Sequence, residues 1–98
     1  MINNRAPIIT TGQLYLNEAL NEYQIVTRNV RGQVDYAGKN FTGRCADETF
    51  LERFQPVDPV DVEATELNFL LSLCPAGTKP KVGLIIDTSM QDYFAVDQ

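Results

Sequence analysis

The sequence predicts an α+β fold, in which a mostly antiparallel β-sheet or small barrel is packed by one α-helix at about residues 59–73. Two observations favour this class. Apolar and polar residues alternate across residues 30–44, which is typical of a β-ribbon with one buried face. A capped stripe of apolar residues then recurs at helical spacing. Because 98 residues bury only about two-thirds of their unfolded surface, the chain supports one core.

An extended N-terminal arm is predicted for residues 1–12, ahead of a single α+β domain at residues 13–98. The arm mixes polar residues with the β-branched pair Ile8 and Ile9, and Gly12 ends this run. We therefore expect the arm to supply one edge strand.

Further strands are expected from β-branched and aromatic content. Residues 13–22 predict a strand that passes into a turn, and residues 23–28 predict a second strand. Residues 29–32 predict a connection or bulge. Residues 43–49 are polar and predict a loop, whereas residues 50–54 predict a short strand.

The stretch VDYAGKNFT, residues 34–42, predicts a β-hairpin. Gly38 and Lys39 have the order of a two-residue type II′ turn, because its first position needs a positive φ. That register places Tyr36 opposite Phe41, so an aromatic pair forms on the apolar face.

The helix is predicted by its start signal and by its apolar stripe. Asp58 is a good N-cap, Pro59 suits the first helical position, and Gly77 follows the end. The stripe consists of Val60, Ala64, Leu67, Leu70, Leu71 and Cys74. The apolar run at residues 81–87 then predicts a strand buried on both sides.

Charge is unevenly distributed along the chain, whose formal net charge is −5. Residues 1–55 carry equal numbers of acids and bases, so the acidic excess lies within residues 56–98. Phosphate neutralisation supplies most nucleic-acid affinity, so this balance argues against a nucleic-acid partner. No apolar run approaches the ~20 residues of a spanning helix, and no membrane partner is expected.

The cysteine and histidine content argues against a metal site. The chain has no histidine, and Cys45 and Cys74 are far apart in sequence, whereas a zinc site needs about four ligands. Cys74 falls in an apolar run and is expected to be a small buried hydrophobe. A disulfide between the two cysteines stays formally possible. No metal and no cofactor are expected.

Catalysis is disfavoured as well, and we expect the chain not to be an enzyme. Without histidine, the usual activation of a serine or cysteine nucleophile lacks its base. Asp47 and Glu48 are sequence neighbours and predict a solvated pair, and Asp58 is explained by helix capping. Asp87 follows the apolar strand, where a turn-starting aspartate is commoner than a catalytic one.

Binding and assembly remain as the expected role. Extended arms and twisted ribbons are the parts with which chains add strands to each other's sheets. We expect the chain to form a homo-oligomer and to contact other proteins. The expected partner-binding residues are Ile8, Ile9, Tyr36, Lys39 and Phe41.

Residues 22–54 resemble small structural proteins of tailed bacteriophages. The resemblance rests on YQIV at residues 23–26 and VDYAGKNFTG at residues 34–43, followed by the aromatic Phe50. It implies a virion component associated with the capsid, neck or tail, present in the host cytoplasm during assembly. The helix and apolar strand that follow depart from the family pattern, which continues with more glycine- and threonine-rich strands.

An acidic inhibitor or regulator that binds a basic host enzyme is the alternative function. It predicts that the C-terminal acids form one face that mimics nucleic-acid charge, with binding that weakens as salt rises. The acids concerned are Asp61, Glu63, Glu66, Asp87 and Asp92.

Overall fold

The computed structural model describes residues 9–83, which form an antiparallel five-stranded sheet with two α-helices. The α+β prediction is confirmed. The strand order is β4-β3-β2-β1-β5. The elements are β1 Leu14–Asn17, β2 Glu22–Val30, β3 Gln33–Gly38, β4 Thr42–Ala46, α1 Asp47–Arg53, β5 Phe54–Val57, a 3₁₀ helix Pro59–Asp61 and α2 Ala64–Ser72.

Consecutive residues of the central strands point to opposite faces of the sheet, and each face has its own apolar cluster. The α1 face buries Ile9, Tyr15, Val26, Val34, Tyr36 and Phe54 together with Phe50 of α1. The α2 face buries Leu14 and Ile25 with Val62 and Leu70, and Leu67, Leu71 and Cys74 pack against them. The described chain is therefore a sheet with one helix on each face. In sequence, α1 lies between β4 and β5.

The connection between β2 and β3 is a tight turn at Arg31 and Gly32, whose φ angles are 53° and 80°. Positive φ at both central positions defines a type I′ turn, which matches the twist of a hairpin. The connection expected at residues 29–32 is thus shorter, because β2 continues to Val30.

The predicted register of the second hairpin is wrong by two residues. Tyr36 pairs with Gly43, and the loop runs from the end of β3 at Gly38 to Thr42. Gly38 lacks the positive φ of a type II′ turn. A shift of two residues keeps every side chain on its face, so Tyr36 and Phe41 still meet diagonally.

The loop and strand expected at residues 43–54 are also wrong, because this stretch contains β4, α1 and the start of β5. Phe50 and Phe54 are four residues apart, a spacing that keeps two side chains on one side in a strand or a helix. Asp47 and Glu48 in the first turn of α1, with Arg53 in its last, complement the helix dipole. These charges favour the helix.

The helix expected at residues 59–73 is divided in two. Asp58 accepts a hydrogen bond from Val60 N at 3.0 Å and caps only the 3₁₀ helix. Val62 is extended and buried, and α2 starts afresh where Glu63 accepts from Glu66 N at 3.2 Å. Val60, expected in the apolar stripe, is therefore 84% exposed, and Ala64 is exposed too.

Part of the expected N-terminal arm belongs to the body of the fold. Ile9 is 6% exposed, and Gly12 N donates to Val26 O at 2.8 Å. Lys81 forms a parallel bridge with Gln13. The apolar strand expected at residues 81–87 lies outside the described residues from position 84 onward.

A large contribution to stability is expected from Phe50, which is fully buried. We expect Phe50→Ala to lower the free energy of unfolding by about 3–5 kcal/mol, because it opens a cavity in the aromatic core. Urea denaturation followed by circular dichroism measures this change. Phe69→Ala on α2 is the matched control, since Phe69 is half exposed and should cost far less. Equal losses for the two variants would contradict the packing of α1 on the sheet.

Candidate partner-binding groove

The partner-binding residues expected from the sequence lie in different environments. Ile8 lies outside the described residues, and Ile9 is in the core of the α1 face. Tyr36 is 7% exposed, whereas Phe41 is 43% exposed and Lys39 is exposed in the same loop. The structure therefore brings Tyr36, Lys39 and Phe41 to one end of the sheet and leaves Ile9 inside.

A groove of about 490 Å³ opens beside Phe41, between the β1–β2 turn, the β3–β4 loop and the C-terminal end of α1. Its buried aromatic lining residues are Tyr36 and Phe54, and its large exposed apolar ones are Leu20, 49% exposed, and Phe41. We name it the loop-end groove. The remaining lining residues are Asn17, Glu18, Ala19, Glu52 and Arg53.

Aromatic rings connect this groove to the core. Phe50 stacks on Phe54 with ring centroids 4.3 Å apart and meets Tyr15 edge-on at 4.6 Å. The ring of Tyr36 lies 4.8 Å from Phe54 and 5.9 Å from Phe41. The exposed ring of Phe41 thus continues a buried aromatic cluster, and ring pairs of this kind add to the energy of area burial.

A carboxylate of β2 holds the β3–β4 loop in place. Glu22 accepts hydrogen bonds from Asn40 N at 3.1 Å and from Asn40 Nδ2 at 3.0 Å. Gln24 Nε2 donates to Glu22 Oε2 at 3.2 Å and approaches Phe41 O at 3.5 Å. Hydrogen bonds to an ionised acceptor are the stronger kind. The loop that presents Phe41 is therefore tied to the sheet at Asn40 and at Phe41.

This close approach requires glycine at position 38. A β-carbon there would collide with the Glu22 carboxylate and lie 2.8 Å from the Tyr23 carbonyl oxygen. Gly38 N also donates to Phe41 O at 2.8 Å, which closes the loop. Gly38 is expected from the sequence to form a turn through a positive φ angle. In the structure it instead leaves room for the Glu22 carboxylate and its hydrogen bonds to Asn40.

A second glycine makes room for the aromatic rings. Gly43 lies opposite Tyr36 in the β3–β4 ladder. A β-carbon at Gly43 would lie 2.6 Å from Tyr36 Oη and 2.9 Å from Phe41 Cε2. The rings of Tyr36 and Phe41 therefore cover the backbone of β4 at this point, and any larger residue would displace them.

Sequence reasoning identified Tyr36 and Phe41 of the groove and missed its seven other lining residues, among them Leu20, Arg53 and Phe54. Leu20 is held in the β1–β2 turn, where Asn17 Oδ1 accepts from Leu20 N at 3.3 Å. The sequence does give a signal for Leu20, because it is a large apolar residue in a turn. Arg53 and Phe54 reach the groove only because α1 precedes β5, and α1 was not predicted.

The two cysteines are free thiols on opposite faces of the sheet. Burial raises the pKa of the Cys45 thiol, although the charge of Arg53 opposes this shift. Burial also raises the pKa of Cys74, which lies 3.7 Å from Val26 O. Neither thiol has the lowered pKa of a reactive nucleophile.

Several of the described carboxylates have partners within the fold. Asp35 forms an ion pair with Arg44 across β3 and β4, and the hydrogen bond from Arg44 lowers the pKa of Asp35. Asp58 and Glu63 cap helices. Asp87 lies outside the described residues. Within residues 9–83 no group of three or more potential metal ligands occurs.

In the part of the chain that the structure describes, no helix is long and apolar enough to cross a bilayer.

Comparison with protein-family models, with curated proteins and with solved structures finds no match to this chain. The resemblance of residues 22–54 to tailed-bacteriophage proteins therefore stays a prediction.

We expect Glu22→Gln to lower the free energy of unfolding by about 1 kcal/mol at neutral pH, because it weakens charge-assisted hydrogen bonds to Asn40. Burial raises the pKa of Glu22, but the hydrogen bonds from Asn40, Gln24 and Phe41 outweigh it, and the pKa is lowered. The carboxylate therefore stabilises the fold at neutral pH, and this contribution is lost as the pH falls through the folded-state pKa.

Urea denaturation at several pH values measures this effect. The difference between wild type and Glu22→Gln should shrink below about pH 4. Glu18→Gln, an exposed neighbour in the β1–β2 turn, is the control and should change stability little. A difference that persists unchanged in acid would show that the charge of Glu22 does not hold the loop.

Proposed function

We propose that this chain is a non-enzymatic structural protein that binds other protein chains during assembly of a tailed-bacteriophage virion. The observation that supports binding is the loop-end groove, in which exposed Leu20 and Phe41 flank the buried rings of Tyr36 and Phe54. Aromatic anchors beside a preformed recess are typical of the centres of protein interfaces.

Preorganisation supports the same proposal. The loop that carries Phe41 is held by Glu22, and its ring rests against Tyr36. An apolar residue that is already ordered loses little conformational entropy on binding, so its burial contributes more to affinity. A loop whose only contact was with solvent would not require the hydrogen bonds from Asn40 to Glu22.

The chemistry of the groove suggests the type of partner. The apolar lining is bordered by Glu18, Glu52 and Arg53, which are exposed. An apolar side chain from a partner would fill the recess, and charged groups of the partner would pair at the border. The acids and the base at this border favour a protein segment of mixed charge over a polyanion.

The virion setting comes from the resemblance of residues 22–54, which cover β2, β3, β4 and α1. These are the elements that form one side of the groove and the loop of Phe41. A virion protein present in the host cytoplasm during assembly is the location that this resemblance implies.

An acidic regulator that binds a basic enzyme is a second candidate. Glu63 and Glu66 line a surface recess with the half-exposed Phe69, and Asp61 is exposed nearby in sequence. Asp87 and Asp92 lie outside the described residues. Binding through these acids should weaken strongly with salt, whereas binding through the loop-end groove should not.

We expect the double variant Leu20→Ser with Phe41→Ser to keep its fold and to lose incorporation into virions. Both side chains are half exposed, so the fold loses little, while the groove loses its apolar anchors. The measurement is mass spectrometry of particles purified from the bacterial strain that carries the gene.

Val60→Ser is the matched control, since Val60 is the most exposed large apolar side chain within residues 9–83 and lies outside the groove. Particles that contain the wild-type chain and Val60→Ser but not the double variant would support the proposal. Particles free of the wild-type chain would contradict the virion setting, and equal incorporation of all three would contradict the role of the groove.

A further inference from the structure

The two edge strands of the sheet are protected to different degrees. β5 contains Pro56, which has no N–H to offer to an added strand, and Val57 O accepts from Gly83 N at 2.9 Å. β4 contains neither proline nor lysine, and within residues 9–83 it has no strand on its outer side. Natural sheets usually guard such an edge, because it is a template for a further strand.

The pairing of β4 with β3 determines which backbone groups of β4 point outward. Two backbone hydrogen bonds of 2.8 Å mark the ends of this ladder, from Gly38 N to Phe41 O and from Asp47 N to Gly32 O. Because bonded and non-bonded pairs alternate between antiparallel strands, Thr42 and Arg44 turn their N–H and C=O groups away from β3. Both residues are exposed.

The charge on β4 does not guard this edge. The guanidinium of Arg44 is engaged by Asp35 on the neighbouring strand, as an ion pair across the α2 face of the sheet. The charge of Arg44, beside the path of an incoming strand, is therefore paired within its own chain. We propose that β4 pairs with β4 of a second copy, antiparallel, about a two-fold axis at Gly43.

The register follows from the side chains that the pairing brings together. With Gly43 on the axis, Thr42 lies opposite the partner's Arg44, and about four backbone hydrogen bonds form. Phe41, 43% exposed in the single chain, then lies opposite the partner's Cys45. An axis at Arg44 would instead oppose two like charges, which destabilises a cross-strand pair.

A second copy of the chain is the partner that matches this edge. The described chain ends at Gly83 beside β5, the other edge strand. Four strand spacings, about 19 Å along the sheet, separate β5 from β4. An identical β4 presents the same outward groups in the same spacing, which is what an isologous two-fold contact requires.

This inference rests on the proposed assembly function, but the two can fail separately. A chain whose β4 never pairs can still enter virions through the loop-end groove. A chain that pairs through β4 can equally be absent from every particle.

Amide hydrogen exchange of the full-length chain, followed by NMR over a range of protein concentrations, tests the pairing. We expect the amides of Thr42 and Arg44 to become protected as concentration rises, whereas the amide of Ala46 stays unprotected. Fast exchange of Thr42 and Arg44 at every concentration would overturn the proposal. Protection in a sample that sedimentation velocity shows to be monomeric would also overturn it, because the edge would then be covered within one chain.

Two charge variants at one exposed site test the register. Thr42→Lys should weaken the dimer about tenfold and Thr42→Glu should strengthen it by a similar factor, since each new charge faces the partner's Arg44 and this pair occurs twice per dimer. Sedimentation velocity measures the dissociation constants. Gln55→Lys on β5 is the control and should leave association unchanged. Equal effects of the lysine and glutamate variants, or an effect of Gln55→Lys as large as that of Thr42→Lys, would overturn this pairing.

Discussion

The contact between Phe50 and the α1 face of the sheet is the interaction on which the rest of the structure depends. Phe50 is the buried residue of a seven-residue helix that connects the two edge strands β4 and β5. Its ring stacks on Phe54 and meets Tyr15 of the central strands. A helix this short is marginal by itself, so its order comes from packing. Through Phe50, one aromatic contact determines where β5 starts and where Arg53 projects.

The loop-end groove is a consequence of that contact. Tyr36 and Phe54 belong to the aromatic cluster around Phe50, and the same two rings form the buried lining of the groove. Phe41 extends the cluster to the surface, and Glu22 holds its loop by hydrogen bonds to Asn40. The aromatic rings of the core and those of the groove are thus in contact with one another. A change in the core would therefore alter the proposed binding surface.

The sequence predicts those elements that are determined by patterns of neighbouring residues. The stripe of Leu67, Leu70 and Leu71 identifies the helix, and the alternation around Tyr36 identifies the hairpin and its buried face. Two features depend on contacts between residues distant in sequence. The register of β3 with β4 depends on Glu22, 18 residues before Asn40.

The second such feature is the choice between strand and helix at residues 47–53, which depends on where Phe50 and Phe54 can be buried. Spacing does not distinguish these cases, because side chains four residues apart share a side in both. The same limit applies to the groove. Tyr36 and Phe41 are identified from the hairpin, whereas Arg53 and Phe54 reach it only through α1.

We expect the free chain to hold Phe41 in place already, as part of the proposed binding surface. ¹⁵N relaxation of the backbone amides at residues 38–43 in the isolated chain measures this most directly. We expect order parameters of about 0.85, equal to those of the flanking strands β3 and β4. Values below about 0.6 at Asn40 and Phe41 would show a flexible loop and would contradict the claim.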